Sequence, residues 1–306
     1  MKILSIKLLL YFLFSIIVIF FFKKINLIDF SILKKSYENN FNYLLLAVSA
    51  YFLSLIFSVL RFHELSKKIN IKMSLKRAFN ATACSIFLGQ WLPGSAATVE
   101  AIRVGILSGV NKKINWKFIV SLGLWDRIFG LSNLFTLSFF IFIFSYFHLN
   151  NFIVIIVISL TILSLFGPVF ILKILQKIFS INYSLNKYIN YSKIYFYGFS
   201  SSVSLSLSYY LVSLSLDFEM NLFYIIIIMP WIALVSIIPL NFGNIGINQF
   251  GALFLFDLFN YKPIEIISVS ILFGILLLIC NSFFGIFFLK NTLKELKNTL
   301  LNKNEK

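Results

Sequence analysis

The chain alternates between long apolar runs and short basic clusters, and the spacing of the two predicts its elements. Residues 8–22, 41–60, 128–147, 151–172, 194–216 and 266–289 are apolar stretches. Each is near the roughly 20 residues that a helix needs to cross a hydrocarbon core. Two further stretches do not fit simple crossings. Between the basic segments 61–77 and 112–117 the chain runs apolar from Ala78 to Leu92, breaks at Pro93-Gly94 and returns through Ala101 to Val110. Each limb has about 15 residues, roughly 22 Å of helix against a core of roughly 30 Å. This pattern predicts a re-entrant helical hairpin that enters and leaves on one side. Residues 220–256 carry no charge and are interrupted by Pro239, Gly243 and Gly246, which predicts a second hairpin from the opposite face.

The chain then reads as one membrane domain, 1–306, whose halves, about 1–147 and 151–290, have opposite topology and are followed by a short tail, 291–306. Broken apolar segments at matching places in two inverted halves point to a transporter's midplane site, because irregular backbone at that depth must line a cavity or be buried in protein.

Composition narrows the class further. With 59% hydrophobic residues, 12% charged and a mean hydropathy of +0.92, the chain is far from a soluble domain. The net charge of +16 would suit nucleic acid, but the distribution of the charges fits membrane orientation instead. With a cytoplasmic N-terminus, Lys2, Lys7, segment 61–77, Lys112, Lys113, Lys117, segment 173–193 and the tail from Lys290 all fall inside. Lys23, Lys24, Lys34, Lys35 and Lys262 fall outside, and both termini are expected to be cytoplasmic. The apolar run after Lys7 resembles a signal peptide, but "FFKKIN" stands where small cleavage-site residues would be needed, so it reads as an uncleaved first helix. Cys84 and Cys280 lie in apolar segments without metal-ligand spacing, and neither His63 nor His148 has a plausible catalytic partner; no metal or cofactor is expected.

The charges within the apolar stretches are the candidate chemistry. Glu100 and Arg103 are three apart, so on a helix starting near Thr98 they share a face and can pair. Ionisable groups at membrane depth default to a functional reading. For Arg103 that is a ligand for a lipid phosphate or carboxylate, with an internal ion pair as the alternative. Asp126 and Arg127 lie about ten residues into the stretch that begins at Trp116, and are either deep or, if a helix begins near them, ordinary end charges. In the second hairpin Asn241, Asn244, Asn248 and Gln249 could hydrogen-bond a head group or satisfy a broken backbone. Ala97, Ala101, Gly105 and Gly109 form a small-residue ridge expected to pack. Ser201, Ser204, Ser208 and Ser215 share a helical stripe suited to close packing or a wet cavity wall.

Three stretches, "FLGQWLPGSAATVEAIRVGIL", "LWDRIFGL" and "IIPLNFGNIGINQFGALFLF", resemble the signatures of the flippase-like membrane domain of lysylphosphatidylglycerol synthases and their stand-alone relatives. The resemblance covers about residues 41–289 and implies a lipid-translocating or lipid-handling domain associated with modified or glycan-linked lipids. Pro93 and Gly94 form the first turn. The chain departs from the family pattern where "AAT" replaces a glycine pair before Glu100. It departs again where Gly246, Ile247, Asn248 and Gln249 replace Gly-x-Arg-Glu.

The expectation is an all-α polytopic integral membrane protein of about six spanning helices and two re-entrant hairpins, without a soluble catalytic domain, that moves or handles an anionic or modified lipid across the cytoplasmic membrane. Alternatives are an in-membrane enzyme that modifies head groups with Glu100 or Asp126 as general base, and an accessory subunit of a glycosyltransferase pathway. Expected partners are membrane lipids, with a lipid-modifying enzyme or glycosyltransferase in the alternative readings, and no nucleic acid.

Overall fold

A computed structural model describes residues 40–68, 71, 73–92, 95–110, 116–144, 191–238, 240–242 and 244–304, together with Lys24. Its elements are α1 (Phe41–Lys68), α2 (Leu75–Gln90), α3 (Ser95–Val110), α4 (Trp116–Phe144), α5 (Tyr191–Ser215), α6 (Leu222–Val235), β1 (Asn241–Phe242), β2 (Ile245–Gly246), α7 (Ile247–Asp257) and α8 (Pro263–Asn304). The fold is all-α apart from the two-residue β1/β2 pair, which closes a turn. Among the described residues two helical segments, Phe41–Lys67 and Pro263–Leu289, are long and apolar enough to cross a bilayer. The expected spans 8–22 and 151–172 lie outside the described residues, as do His148, Pro93, Gly94, Pro239 and Gly243.

Three helices exceed their expected bounds, and each excess matters. α1 runs to Lys68 rather than ending near residue 60, because its apolar spacing continues through Phe62 and Leu65, both buried. Arg61 therefore belongs to the helix and not to a basic loop. α4 begins at Trp116 rather than near residue 128, so Asp126 and Arg127 sit in mid-helix and are not end charges. α8 continues unbroken for 42 residues, about 63 Å, so the expected tail continues a helix through Asn304.

The two stretches expected as hairpins each contain a pair of short helices, α2 with α3 and α6 with α7. α2 starts at Ser74, whose hydroxyl accepts from the Arg77 backbone N–H at 3.3 Å. α2 and α3 have 16 residues each, about 24 Å, and Gly89 lies so close to Val99 that a side chain there would collide with it. In the second hairpin Asn221 caps α6 by accepting from the Phe223 N–H at 2.8 Å. The turn then pairs Asn241 with Gly246 and Phe242 with Ile245 before α7. Gly246 has φ 144°, a conformation that side-chain-bearing residues rarely adopt.

α1 and α5 bind through small polar residues. Ser54 donates to the Ser201 carbonyl at 2.9 Å, Ser201 returns the bond to the Ser54 carbonyl at 3.0 Å, and Ser208 donates to the Ala47 carbonyl at 2.8 Å. Small hydroxyl residues let backbones approach, which assigns Ser201 and Ser208 to packing. The ridge on α3 behaves differently. Ala101 is exposed, and a side chain at Gly105 would meet nothing within 4 Å. Packing between α3 and its neighbours uses the other face, through Val99, Arg103 and Leu107, so among the described residues nothing packs on Ala101 and Gly105 as the ridge was expected to.

The apolar core has two parts. One holds Val59, Phe62, Leu65, Leu107, Ile119, Leu122, Trp125 and Phe129; the other holds Tyr209, Val212, Ile225, Ala252, Phe256, Ile266 and Val269. α1 contributes to both, with Ala47 and Leu55 in the second and Val59 onward in the first. Both hairpins lean on α8: the Gln90 amide donates to Ser282 Oγ at 2.9 Å, and the Gln249 amide donates to the Ser270 carbonyl at 3.2 Å.

Candidate functional site

Five charged side chains from α1, α3 and α4 meet in one cluster. Arg61 Nε donates to Asp126 Oδ1 at 2.8 Å, and Arg103 Nη1 lies 3.3 Å from Asp126 Oδ2. Arg103 Nη1 is also 3.3 Å from Glu100 Oε1, and Arg127 Nε donates to the same oxygen at 2.8 Å. The sequence places these groups for simple reasons. Glu100 and Arg103 are one turn apart on α3, while Asp126 and Arg127 are adjacent on α4 and so diverge by about 100° around the helix. Asp126 consequently turns inward to Arg61 and Arg103, and Arg127 turns outward and reaches back to Glu100.

Burial divides the cluster. The side chains of Arg103 and Asp126 are each 4% exposed, whereas that of Arg127 is 42% exposed. Arg103 is covered by Phe62, whose ring centroid lies 4.5 Å from the guanidinium carbon, within cation–π range. Its Nε is buried without a hydrogen-bond partner, as is Glu100 Oε2. Two glycines of α4 make room. A side chain at Gly123 would come within 2.5 Å of Glu100 Oε2, and one at Gly130 within 3.2 Å of Arg61 Nη2. Glycine at these positions lets three helices bring long charged side chains together.

The charges do not cancel: three guanidinium groups face two carboxylates. In a low-dielectric setting an uncompensated charge is costly and attracts a counter-ion. Both carboxylates accept from guanidinium groups, so this arrangement holds cations in place and presents one of them at its edge. It can bind an anion.

Arg61 is the member that sequence reasoning missed. Its place at the head of the basic segment 61–77 disguises it, although Phe62 and Leu65 behind it keep a helical apolar spacing. Arg103, expected as the ligand, is instead enclosed by Asp126, Glu100 and Phe62.

The second turn is organised separately. Gln249 is 1% exposed and binds backbone with both ends of its amide: Oε1 accepts from the Gly246 N–H at 2.7 Å, and Nε2 donates to the carbonyls of Ser270 at 3.2 Å and Asn244 at 3.4 Å. It satisfies a broken backbone. Asn244 holds a left-handed conformation, φ 66°, and its Nδ2 is buried and unpaired. Asn241 enters the β pair, and Asn248 is partly buried and engaged. The turn meets α8 at Ser270 and Gly274, about two to three helical turns from Ser282, where the first hairpin docks. The two turns are thus set along one helix, with the charged cluster belonging to the first. Among the described residues no group of His, Cys, Asp and Glu is arranged to hold a metal ion.

A family profile described as Lysylphosphatidylglycerol synthase TM region matches residues 5–285. No curated protein and no solved structure matches the chain.

Proposed function

The chain belongs to the lysylphosphatidylglycerol synthase transmembrane-region family, and on that premise we propose that it is a flippase-like transporter for an anionic phospholipid. The family and the apolar helices make it a membrane protein. The finer reading is ours: a polytopic chain in the cytoplasmic membrane, both termini inside, with α2/α3 and α6/β1/β2/α7 as hairpins that enter from opposite faces. Limbs of 16, 16, 14 and 11 residues support it, since helices of about 16 to 24 Å are too short for a core of roughly 30 Å.

The observation that carries the proposal is the cluster of Arg61, Glu100, Arg103, Asp126 and Arg127, with one positive charge in excess, packed among the apolar side chains of Phe62, Leu107, Leu122 and Trp125. A lipid that crosses a bilayer must take its charged head through hydrocarbon, where charge costs several kcal/mol. A fixed, ordered set of guanidinium groups substitutes for the water the head group leaves. Arginine suits this role because it remains charged when desolvated and offers paired donors to a phosphate.

An enzyme that modifies lipid head groups would need a carboxylate free to take a proton. Asp126, one of the two candidate bases, has both oxygens taken, by Arg61 and by Arg103, which favours transport over catalysis at that residue; Glu100 accepts from Arg127 and is ion-paired with Arg103 through Oε1, while its Oε2 stays unpaired among the described residues. The test is transbilayer movement of fluorescent phosphatidylglycerol in vesicles that contain the purified protein. Movement faster than in protein-free vesicles supports the proposal; equal rates, together with chemical conversion of the lipid, would support the enzyme instead.

A further inference from the structure

The cluster divides its labour. Arg103 and Arg61 are enclosed by carboxylates and core side chains, but among the described residues Arg127 is tethered through Nε alone. Its Nε donates to Glu100 Oε1 at 2.8 Å, and no group among the described residues engages its two Nη groups. The free part of the guanidinium is the edge that forks two parallel hydrogen bonds to an oxyanion. The tether fixes the direction of that edge, so less side-chain freedom is lost on binding.

The surroundings suit an amphiphile. Leu124, one turn before Arg127 on the same side of α4, is 40% exposed, so an apolar surface adjoins the cation. On α3, next to Glu100, the exposed Ala101 and Gly105 present nothing larger than a methyl group. The surplus positive charge of the cluster is therefore presented where an anion with apolar chains can reach it. Behind it, Arg103 Nε is buried, a second donor with no acceptor among the described residues.

We propose that Arg127 is the anion-contacting residue, taking one phosphate monoanion of a phospholipid through its two Nη groups. Glu100, Arg103, Asp126 and Arg61 are then positioning residues that hold its Nε and set the net charge. This inference rests on the lipid-transport reading, but it assigns the contact to Arg127 rather than Arg103, and it concerns binding rather than movement. A net charge of plus one favours a monoanionic lipid such as phosphatidylglycerol over a zwitterionic one.

The test is equilibrium binding of fluorescent phosphatidylglycerol to the full chain in detergent, with phosphatidylcholine and inorganic phosphate as competitors. Arg127→Gln should weaken phosphatidylglycerol binding at least tenfold, and Arg127→Lys by less. The double variant Glu100→Gln/Arg127→Gln separates a ligand contact from a mere counter-ion. If Arg127 only neutralises Glu100, removing both charges restores binding; if it contacts the phosphate, the double variant stays as weak as Arg127→Gln. Restored binding in the double variant, or unchanged binding in folded Arg127→Gln, would overturn the assignment while leaving lipid transport intact. Absence of phosphatidylglycerol binding by the wild-type chain would instead overturn the transport reading beneath it. Inorganic phosphate that displaces the lipid at equal concentration would assign the site to the free anion and refute the lipid half of the proposal.

Discussion

Arg61 on α1 and Asp126 on α4, 65 positions apart, meet Nε to Oδ1 at 2.8 Å with both side chains buried. That contact joins the helix expected to be a plain span to the helix expected to begin near residue 128. It also anchors the rest of the cluster. Asp126 takes Arg103 on its other oxygen, Arg103 takes Glu100, and Glu100 takes Arg127 at the exposed edge.

Breaking the pair from one side should be costly. Asp126→Ala leaves the buried Arg61 and Arg103 without their shared acceptor, and loss of one partner of a buried pair costs about 3–5 kcal/mol. Thermal unfolding of the purified variant in detergent should show this, and Arg61→Leu/Asp126→Leu should recover much of the loss. Equal instability of the single and double variants would mean that the pair itself, not an orphaned charge, holds the helices.

Gly123 is expected to act through Glu100. Gly123→Ala places a methyl group within 2.5 Å of Glu100 Oε2, so the carboxylate at the end of that side chain must shift. The same carboxylate holds Arg127. Reduced anionic-lipid binding in a Gly123→Ala protein that still folds is the expected result, and normal binding would show that the tether is dispensable.

The second turn should respond as structure and not as a ligand site. Gln249→Leu removes an amide that binds the backbone of Gly246, Asn244 and Ser270, leaving buried groups unpaired at about 1–3 kcal/mol each. Stability should fall, while lipid binding per folded molecule stays unchanged. A selective loss of binding without loss of stability would make Gln249 a head-group contact after all.

The membrane orientation is testable at two described positions. In a chain with Cys84 and Cys280 replaced by serine, Phe218→Cys in the turn after α5 should be labelled from outside, and Asn304→Cys at the end of α8 only from the cytoplasm. Labelling of both positions from the same side would break the opposed arrangement of the hairpins.

Much of this arrangement was legible in the apolar pattern. The Pro93-Gly94 break and the uncharged stretch 220–256 with its Pro and Gly interruptions marked the two pairs of short helices, because such residues break a helix into two limbs. Glu100 with Arg103, and Asp126 with Arg127, stood out as charges in apolar surroundings. What the pattern could not give was partnership across helices. Arg61 reads as the first residue of a basic loop until Phe62 and Leu65 are seen to be buried, and its partner is too distant in sequence for any local rule. The different burial of Arg103 and Arg127 has the same origin: in the sequence each arginine stands near one acid, and only the packing of Phe62 over Arg103 separates inside from edge. The small residues Ala101 and Gly105 look like a packing ridge by spacing alone, yet they lie on the open side of α3.

Lipid transport itself rests most directly on transbilayer movement of fluorescent phosphatidylglycerol in vesicles reconstituted with wild-type protein or with Arg103→Gln. Arg103→Gln removes the charge that links Glu100 to Asp126 without emptying the space. The wild-type protein should accelerate movement well above protein-free vesicles, and Arg103→Gln, inserted to the same level, should lose most of that acceleration. Undiminished movement by the variant would release the buried cluster from the transport mechanism, and no acceleration by the wild-type chain would contradict transport altogether.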